Sequence, residues 1–380
     1  MVRQSKRELV EALGPGDRKG TRIDKGRILD QVCAATGYNR KYAVGLFGRQ
    51  GLKPRPKRKR GRRRLYDQEV VAALVQVWEA SGYLCAKRLQ PFLPEFLEAL
   101  ERHHHALAGA DVREKLLRMS AATMDRRLQR ARSRLGGRGR TTTKPGSLLK
   151  QAIPIRTFAD WDQAQPGFLE MDLVAHCGET TAGDYLHTLS AIDVDTRWFE
   201  PVALPNRGQK AAFEGIQAVR RQLPFPLLGI DCDSGGEFIN HHLYAYCLEQ
   251  HITFTRSRPF HKNDQAYVEQ KNWSGVRQIV GYERYESPQA LAALRAIYAD
   301  LRLWVNFFQP VMKLQSKVRV ASKLRKTYDR AQTPYRRAMA SANVTQDTKH
   351  QLTELYLSLH PVQLRQRLEA NLAKLWRVPR

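Results

Sequence analysis

The sequence predicts a multidomain protein. An α/β domain built on a mixed sheet follows all-α regions of helix-turn-helix pattern and precedes a basic, mainly helical C-terminal region. Three observations carry that class. Hydrophobic periodicity changes near residue 155 from helical to strand-like. Five short β-branched or aromatic runs follow, with two helical segments between the later ones. Two stretches rich in Lys, Arg, Gly and Pro cut the chain on the N-terminal side of that change.

With 380 residues and 42% hydrophobic content, the chain is long enough for two or more domains. Lys and Arg number 64 against 37 Asp and Glu, a net charge of +27. A field of that sign favours a polyanionic partner, phosphate backbones before membrane surfaces. No apolar run approaches the roughly 20 residues that span a bilayer, and "MVRQSKRELVEALG" lacks a signal-peptide core. The expected location is therefore the cytoplasm, with no membrane partner. Cys33, Cys85, Cys177, Cys232 and Cys247 are odd in number and form no CxxC pair, so they read as reduced thiols with no zinc site. The "HHH" at 103 to 105 reads as a solvated helix end.

Residues 1–52 read as short helices. In "RILDQVCAATGYNRKYAVGLF", Ile28, Val32 and Ala35 form an apolar stripe and Gly37 breaks it. Asn39 caps the next helix, to which Tyr42, Val44, Leu46 and Phe47 contribute. Arg40 and Lys41 open that second helix, where such motifs touch DNA. The linker 53–64, "KPRPKRKRGRRR", has nine basic residues in twelve. Its charges repel and its Pro and Gly block a helix. At about 3 Å per residue it extends on the order of 35 Å, enough for Lys57, Arg58, Lys59 and Arg60 to track a DNA groove. Residues 65–135 are helical again and hold a second helix-turn-helix pattern. Ser120 is its N-cap, Met124 and Leu128 face inward, and Arg126, Arg127, Arg130, Arg132 and Arg134 face outward. A flexible basic linker, 136–154, separates this region from the α/β domain at 155–305. Residues 306–380 form the basic C-terminal region, whose last helical stretch is interrupted at Pro361.

Within the α/β domain, carboxylates stand where a core excludes them. Alternation along "FLEMDLVAH" puts Leu169, Met171, Leu173 and Ala175 on one face, and Glu170, Asp172 and Val174 on the other. In "LLGIDCD", Asp231 and Asp233 share a face, and Asp233 precedes a glycine turn. Strand ends beside such turns are where α/β sheets place ligands. In "NDQAYVEQKNWSGVRQIV", Asn263 or Asp264 caps the start, and Ala266, Glu269, Trp273, Val276 and Val280 fall on one helical face. That pattern predicts a core-facing Glu269, which needs a counter-charge. Converging carboxylates are best satisfied by divalent cations with oxygen ligands.

These residues resemble the DDE catalytic domain of retroviral integrases and of related bacterial insertion-sequence transposases. Thirty-five residues, 234 to 268, separate Asp233 from Glu269, the D,D-35-E spacing of that family. "CDSGGEF" is similar to its D-[NS]-G-x-E/N-F turn, and "KNDQAYVEQKNW" to its Q-x-x-x-E-x-x-N helix start. The resemblance covers about residues 155 to 305. The zinc-binding HHCC module of retroviral integrases has no counterpart here, which points to the bacterial transposases. Asp231 is the alternative second aspartate, with 37 intervening residues; the turn motif and the spacing favour Asp233. Asp193 reads as a turn residue with Asp195, and Glu170 and Glu237 as neighbours of the site. His261, Lys262, Lys271 and Asn272 are expected to approach DNA or orient Glu269.

The resemblance implies an RNase H-like integrase core using two Mg²⁺ ions, with Mn²⁺ able to substitute. Asp172, Asp233 and Glu269 would be both catalytic and metal-binding residues. It implies strand cleavage at transposon ends and transfer of the 3′-hydroxyl into target DNA. The implied partner is double-stranded DNA, terminal repeats and target alike, bound by a homo-oligomer that is nucleoid-associated in a bacterium. An accessory ATPase stays open as a further partner. Two other classes also stay open: a non-catalytic DNA-binding regulator or decayed transposase, and an RNase H-like nuclease without strand transfer.

Overall fold

The computed structural model describes residues 3–49, 65–105, 109–133, 165–233, 235–257, 265–320 and 323–378. Both basic linkers, with Lys57, Arg58, Lys59 and Arg60, lie outside the described residues, as do Arg134, His261, Lys262, Asn263 and Asp264. Residues 1–64 and 65–380 form two compact units.

In the first unit, helices α1 (Arg3–Lys19), α2 (Arg22–Thr36) and α3 (Arg40–Arg49) pack around Val10, Val32, Ala43 and Phe47. Gly37 ends α2 with φ 70°, a left-handed cap that favours glycine. Asn39 Oδ1 accepts from the Lys41 amide at 2.9 Å as α3 begins. The inward stripe differs from expectation. Thr36, not Ala35, is buried in α2, its hydroxyl donating to the Val32 carbonyl at 2.6 Å. That bond satisfies the polar atom and keeps the four-residue spacing from Val32. On α3, Tyr42 and Val44 are exposed while Ala43 and Phe47 face in. Arg40 pairs with Asp30 of α2.

The second unit opens with α4 (Gln68–Ala80), α5 (Ala86–Arg102), α6 (Ala110–Leu117) and α7 (Ala121–Arg132). Ser120 caps α7 by accepting from the Thr123 amide at 3.3 Å, and Met124 and Leu128 are fully buried. Arg126, Arg127 and Arg130 are exposed. Arg132 instead pairs with Asp125 at 2.6 Å and lies over the Trp78 ring. The histidine run is less solvated than expected. His103 stacks on His360 at 4.7 Å, and His105 meets the same ring at 6.0 Å.

The five predicted strands form one mixed sheet in the order β3-β2-β1-β4-β5. β1 (Phe168–Ala175), β2 (His187–Asp193) and β3 (Phe199–Leu204) make an antiparallel meander. β4 (Gly229–Cys232) and β5 (Thr253–Arg256) continue it in parallel with β1. The crossover helices α8 (Gln209–Gln222) and α9 (His241–Glu249) bury one face around Met171, Ile216, Ile230 and Leu243. The opposite face receives α10 (Ala266–Lys271), a π-helical turn (Asn272–Arg277), α11 (Gln278–Val280) and the long α12 (Pro288–Phe308). Two buried contacts fix α12 to β3. Asn306 donates to and accepts from the Phe199 backbone at 2.9 and 2.8 Å, and Arg302 grips Glu200 with bonds of 2.5 and 2.7 Å.

Composition breaks near 135 and 305 do not mark separate compact units. One hydrophobic cluster runs from Val70 and Leu89 through Trp304 to Leu368. The apolar faces of α13 (Pro334–Ala340), α14 (Gln346–Ser358) and α15 (Pro361–Leu375) belong to that cluster, with those of α4, α5 and α12. The break before Pro361 is present, but the C-terminal region is not all helical. Residues 314–328 form a β-hairpin, β6 (Leu314–Val320) and β7 (Lys323–Tyr328).

Candidate active site

The middle of β1 and the end of β4 bring the carboxylates together. Parallel pairing sets Glu170 against Asp231 and Met171 against Cys232, so Asp233 leaves the sheet beside Asp172. Asp172 Oδ1 accepts from the Leu173 amide at 2.8 Å, and its Oδ2 accepts from the Asn272 side chain at 2.6 Å. Burial pushes the Asp172 carboxyl up to about 7; the charge of Asp233 adds to this, as does that of Glu269, while both hydrogen bonds oppose it. Asp233 is half-buried and raised by burial, with Oδ1 accepting from the Gly235 amide at 3.0 Å. Glu237 is raised by burial too, with Asp233 adding and Arg207 opposing.

Asp231 has another task. It is buried within the sheet and accepts the Thr255 hydroxyl at 2.5 Å. That separates it from Asp233, which stands at the strand end. Asp193 is a turn anchor, accepting from the Gly167 amide at 2.8 Å and from the Thr196 amide at 2.6 Å.

Glu269 differs from expectation: it is exposed, and Trp273 one turn on is 48% exposed. Val276 and Val280 are buried as expected, but Val268 and Gly275 take the inward positions expected of Glu269 and Trp273. The cause is the π-helical turn, whose i→i+5 bonding widens the helix and rotates its faces. Gly275 permits the close packing this needs, since a Cβ there would stand 3.0 Å from the Phe199 ring. Lys271 also lies elsewhere than expected. Its ammonium sits 5.2 Å from the Phe199 ring centroid, and burial, with Arg88 and Arg197 adding, pushes it down to about 7.

Sequence reasoning undervalued Glu170. It is buried two residues before Asp172, and its Oε2 accepts from the Tyr267 and Val268 amides at 2.9 and 2.7 Å. Glu170 thereby pins the first turn of the helix that carries Glu269, while Asn272 pins its end to Asp172. The Arg197 guanidinium lies 3.4 Å from the centroid of the Tyr267 ring at the same start. Burial pushes the Glu170 carboxyl up to about 8, with Asp231 adding and the amides and Arg197 opposing. Its position on the Asp172 face was the only signal available.

Among the described residues, no three His, Cys, Asp or Glu side chains stand close enough to form a finished metal cage. The donor chemistry nevertheless suits a hard divalent cation. The candidates are all oxygen donors, and Asp172 resists ionisation through its burial and through the two further carboxylates near it.

No protein-family model matches the chain. It is 41% identical over 321 residues to the uncharacterized protein y4rM of Sinorhizobium fredii (strain NBRC 101917 / NGR234), covering 84% of this chain and 91% of that protein. The chain belongs to the family of that protein. Among solved structures, the catalytic core domain of BIV integrase aligns with 45% of this chain and 91% of its own, at 14% identity and a TM-score of 0.29. Neither figure supports a functional argument, which rests on the carboxylates and their supports. No helix among the described residues is long and apolar enough to cross a membrane.

Proposed function

We propose that this protein is a DDE transposase with an RNase H-like, integrase-type core. It would cut DNA at transposon ends and join the freed 3′-hydroxyl to target DNA. The observation that carries this reading is the geometry around Asp172: parallel pairing brings the end of β4, with Asp233, beside it, and Asn272, three residues after Glu269, donates to its Oδ2 at 2.6 Å. These three residues would hold Mg²⁺, with Mn²⁺ able to replace it; the bound cation supplies positive charge to the attacking and departing oxygens of the phosphodiester.

The remaining chemistry belongs to side chains that position. Asn272 holds one Asp172 oxygen in place, and Glu170 holds the start of the helix bearing Glu269. Trp273, exposed and four residues after Glu269, offers an indole face on which an unpaired base can stack. In the first reaction a water oxygen bonds to phosphorus and the 3′-oxygen departs. In the second, that 3′-hydroxyl attacks a target phosphodiester and a target 3′-oxygen departs, so bonds made and broken balance without ATP. Arg40 and Lys41 at the start of α3, and Arg126, Arg127 and Arg130 on α7, are the proposed contacts to the transposon ends. Lys57, Arg58, Lys59, Arg60 and Lys262 are proposed on charge alone. Joining two ends calls for a homo-oligomer on DNA, in the cytoplasm with the nucleoid.

The test combines purified protein, a duplex carrying the repeats that flank its gene, a target plasmid and Mg²⁺. Nicked ends and joined products from wild type, absent with Glu269→Gln, are expected. Cutting without joining would leave a nuclease. Binding by both proteins with cutting by neither, in Mg²⁺ and in Mn²⁺, would leave a regulator.

A further inference from the structure

The β6–β7 hairpin is built unlike the rest of its unit. Between Leu314 and Tyr328 the sequence holds five Lys or Arg and no Asp or Glu. From Gln315 to Tyr328 its described side chains are exposed. Val318 is 55% and Tyr328 45% exposed, and Arg319, Arg325 and Lys326 face solvent as well. An isolated two-stranded ribbon is marginal in water. Its register pairs Val318 with Arg325 and Lys317 with Lys326 along the backbone, so no acidic position faces a basic one across the strands.

The base, by contrast, is firmly tied. The Lys313 amide donates to Asp329 Oδ1 at 2.6 Å, and Asp329 in turn pairs with Arg337 at 2.8 Å. Lys313 Nζ reaches Asp195, at the β2–β3 turn, at 2.7 Å. Val311 and Gln332 exchange backbone bonds of 2.8 and 3.1 Å below that. These acidic partners all stand at the base, and the ribbon beyond it has cations alone.

We propose that the β6–β7 ribbon is a DNA-binding element that lies in a groove of duplex DNA, with Arg319, Arg325 and Lys326 against the phosphates. The proposal rests on DNA being the substrate, as argued above, and adds a surface that the catalytic reading does not require. Charge complementarity selects the partner, since five Lys or Arg with no Asp or Glu among them, on exposed strands, suit a polyanion. Shape agrees. The major groove, about 12 Å wide, admits a two-stranded ribbon, and strands of this length span roughly 20 Å along it.

Binding measured without metal separates this claim from catalysis. Full-length protein carrying Asp172→Asn would be titrated into a labelled duplex of arbitrary sequence at increasing salt. A second form adds Arg319→Ala, Arg325→Ala and Lys326→Ala. The slope of log affinity against log salt is expected to shrink by about 2 to 3, near 0.9 for each phosphate no longer neutralised. The double variant Arg319→Lys, Arg325→Lys is expected to keep the slope, and an unchanged thermal midpoint in all forms would show that the fold is intact. An equal slope in the alanine form overturns the proposal, even if wild type cuts and joins DNA. Loss of binding to phosphatidylserine vesicles with the DNA slope unchanged also overturns it, in favour of a lipid surface. Failure of the Asp172→Asn protein itself to bind duplex would sink both the ribbon and the transposase readings.

Discussion

The carboxylate site and the basic ribbon handle charge in opposite ways. At the site, Glu170, Asp172 and Asp231 are taken into the sheet, and each is met by a fixed donor: backbone amides, Asn272 or the Thr255 hydroxyl. In the ribbon, Arg319, Arg325 and Lys326 stand exposed, and no Asp or Glu lies between Leu314 and Tyr328. Buried charge is expensive, so it persists only where surrounding groups determine it. Exposed like charge costs little, and it leaves binding energy for a partner. The difference teaches that this fold commits its organisation to placing carboxylates and leaves its positive charge available.

The sharpest way to break that comparison is to remove a site carboxylate. Asp172→Asn is expected to lower strand cleavage about a thousandfold or more, the scale of several kcal/mol of lost charge stabilisation, with folding retained. A gel assay of end cleavage checks it, and near-normal cutting would show that the burial of Asp172 has no catalytic purpose. Next in size is Arg302→Met, which leaves the fully buried Glu200 without its cation. Urea unfolding should show a loss of about 3–5 kcal/mol, whereas Arg325→Ala in the ribbon should show almost none. Asn272→Ala is expected to cost about 10- to 100-fold in activity or cation affinity, since it orients Asp172 without replacing it. An effect as large as that of Asp172→Asn would make Asn272 more than an orienting group.

A further effect concerns pH. The folded Glu170 carboxyl titrates near 8 against an ordinary value of 4.5, and Asp172 near 7 against 3.8. Both folded values lie above the unfolded ones, so the folded state holds the protons more tightly. Stability from these groups is complete below about pH 4 and declines as pH rises towards 8. Glu170→Gln keeps an oxygen for the Tyr267 and Val268 amides but cannot ionise. Its thermal midpoint, measured in EDTA, should therefore fall less than that of wild type between about pH 5 and 8; parallel curves would contradict the assignment.

Much of the sheet was legible because alternation in "FLEMDLVAH" and the punctuation between runs are local signals. The two faces of β1 and the capping by Ser120 were readable for the same reason. The face of Glu269 was not, because a straight 3.6-residue count has no way to include a π-helical turn. The tie from Glu170 to the Val268 amide joins residues 98 apart, and no local pattern reports it. The single core shared by α4, α5, α12 and α15 escaped similarly, since each helix shows only an apolar stripe and not the stripe that meets it. The ribbon was hidden by composition, because "KVRVASKLRKTY" reads first as charge and only second as alternation.

The most direct test of the central claim is Mn²⁺ binding, followed by the electron paramagnetic resonance signal of the free ion, in wild type and in Glu269→Gln. Glu269 is exposed, so its replacement by an isosteric amide is expected to leave folding intact. If Asp172, Asp233 and Glu269 act as one site, the variant binds Mn²⁺ at least about tenfold more weakly, a difference near 1.4 kcal/mol. Equal binding by the two proteins would contradict the account, showing that Glu269 takes no part in holding a cation.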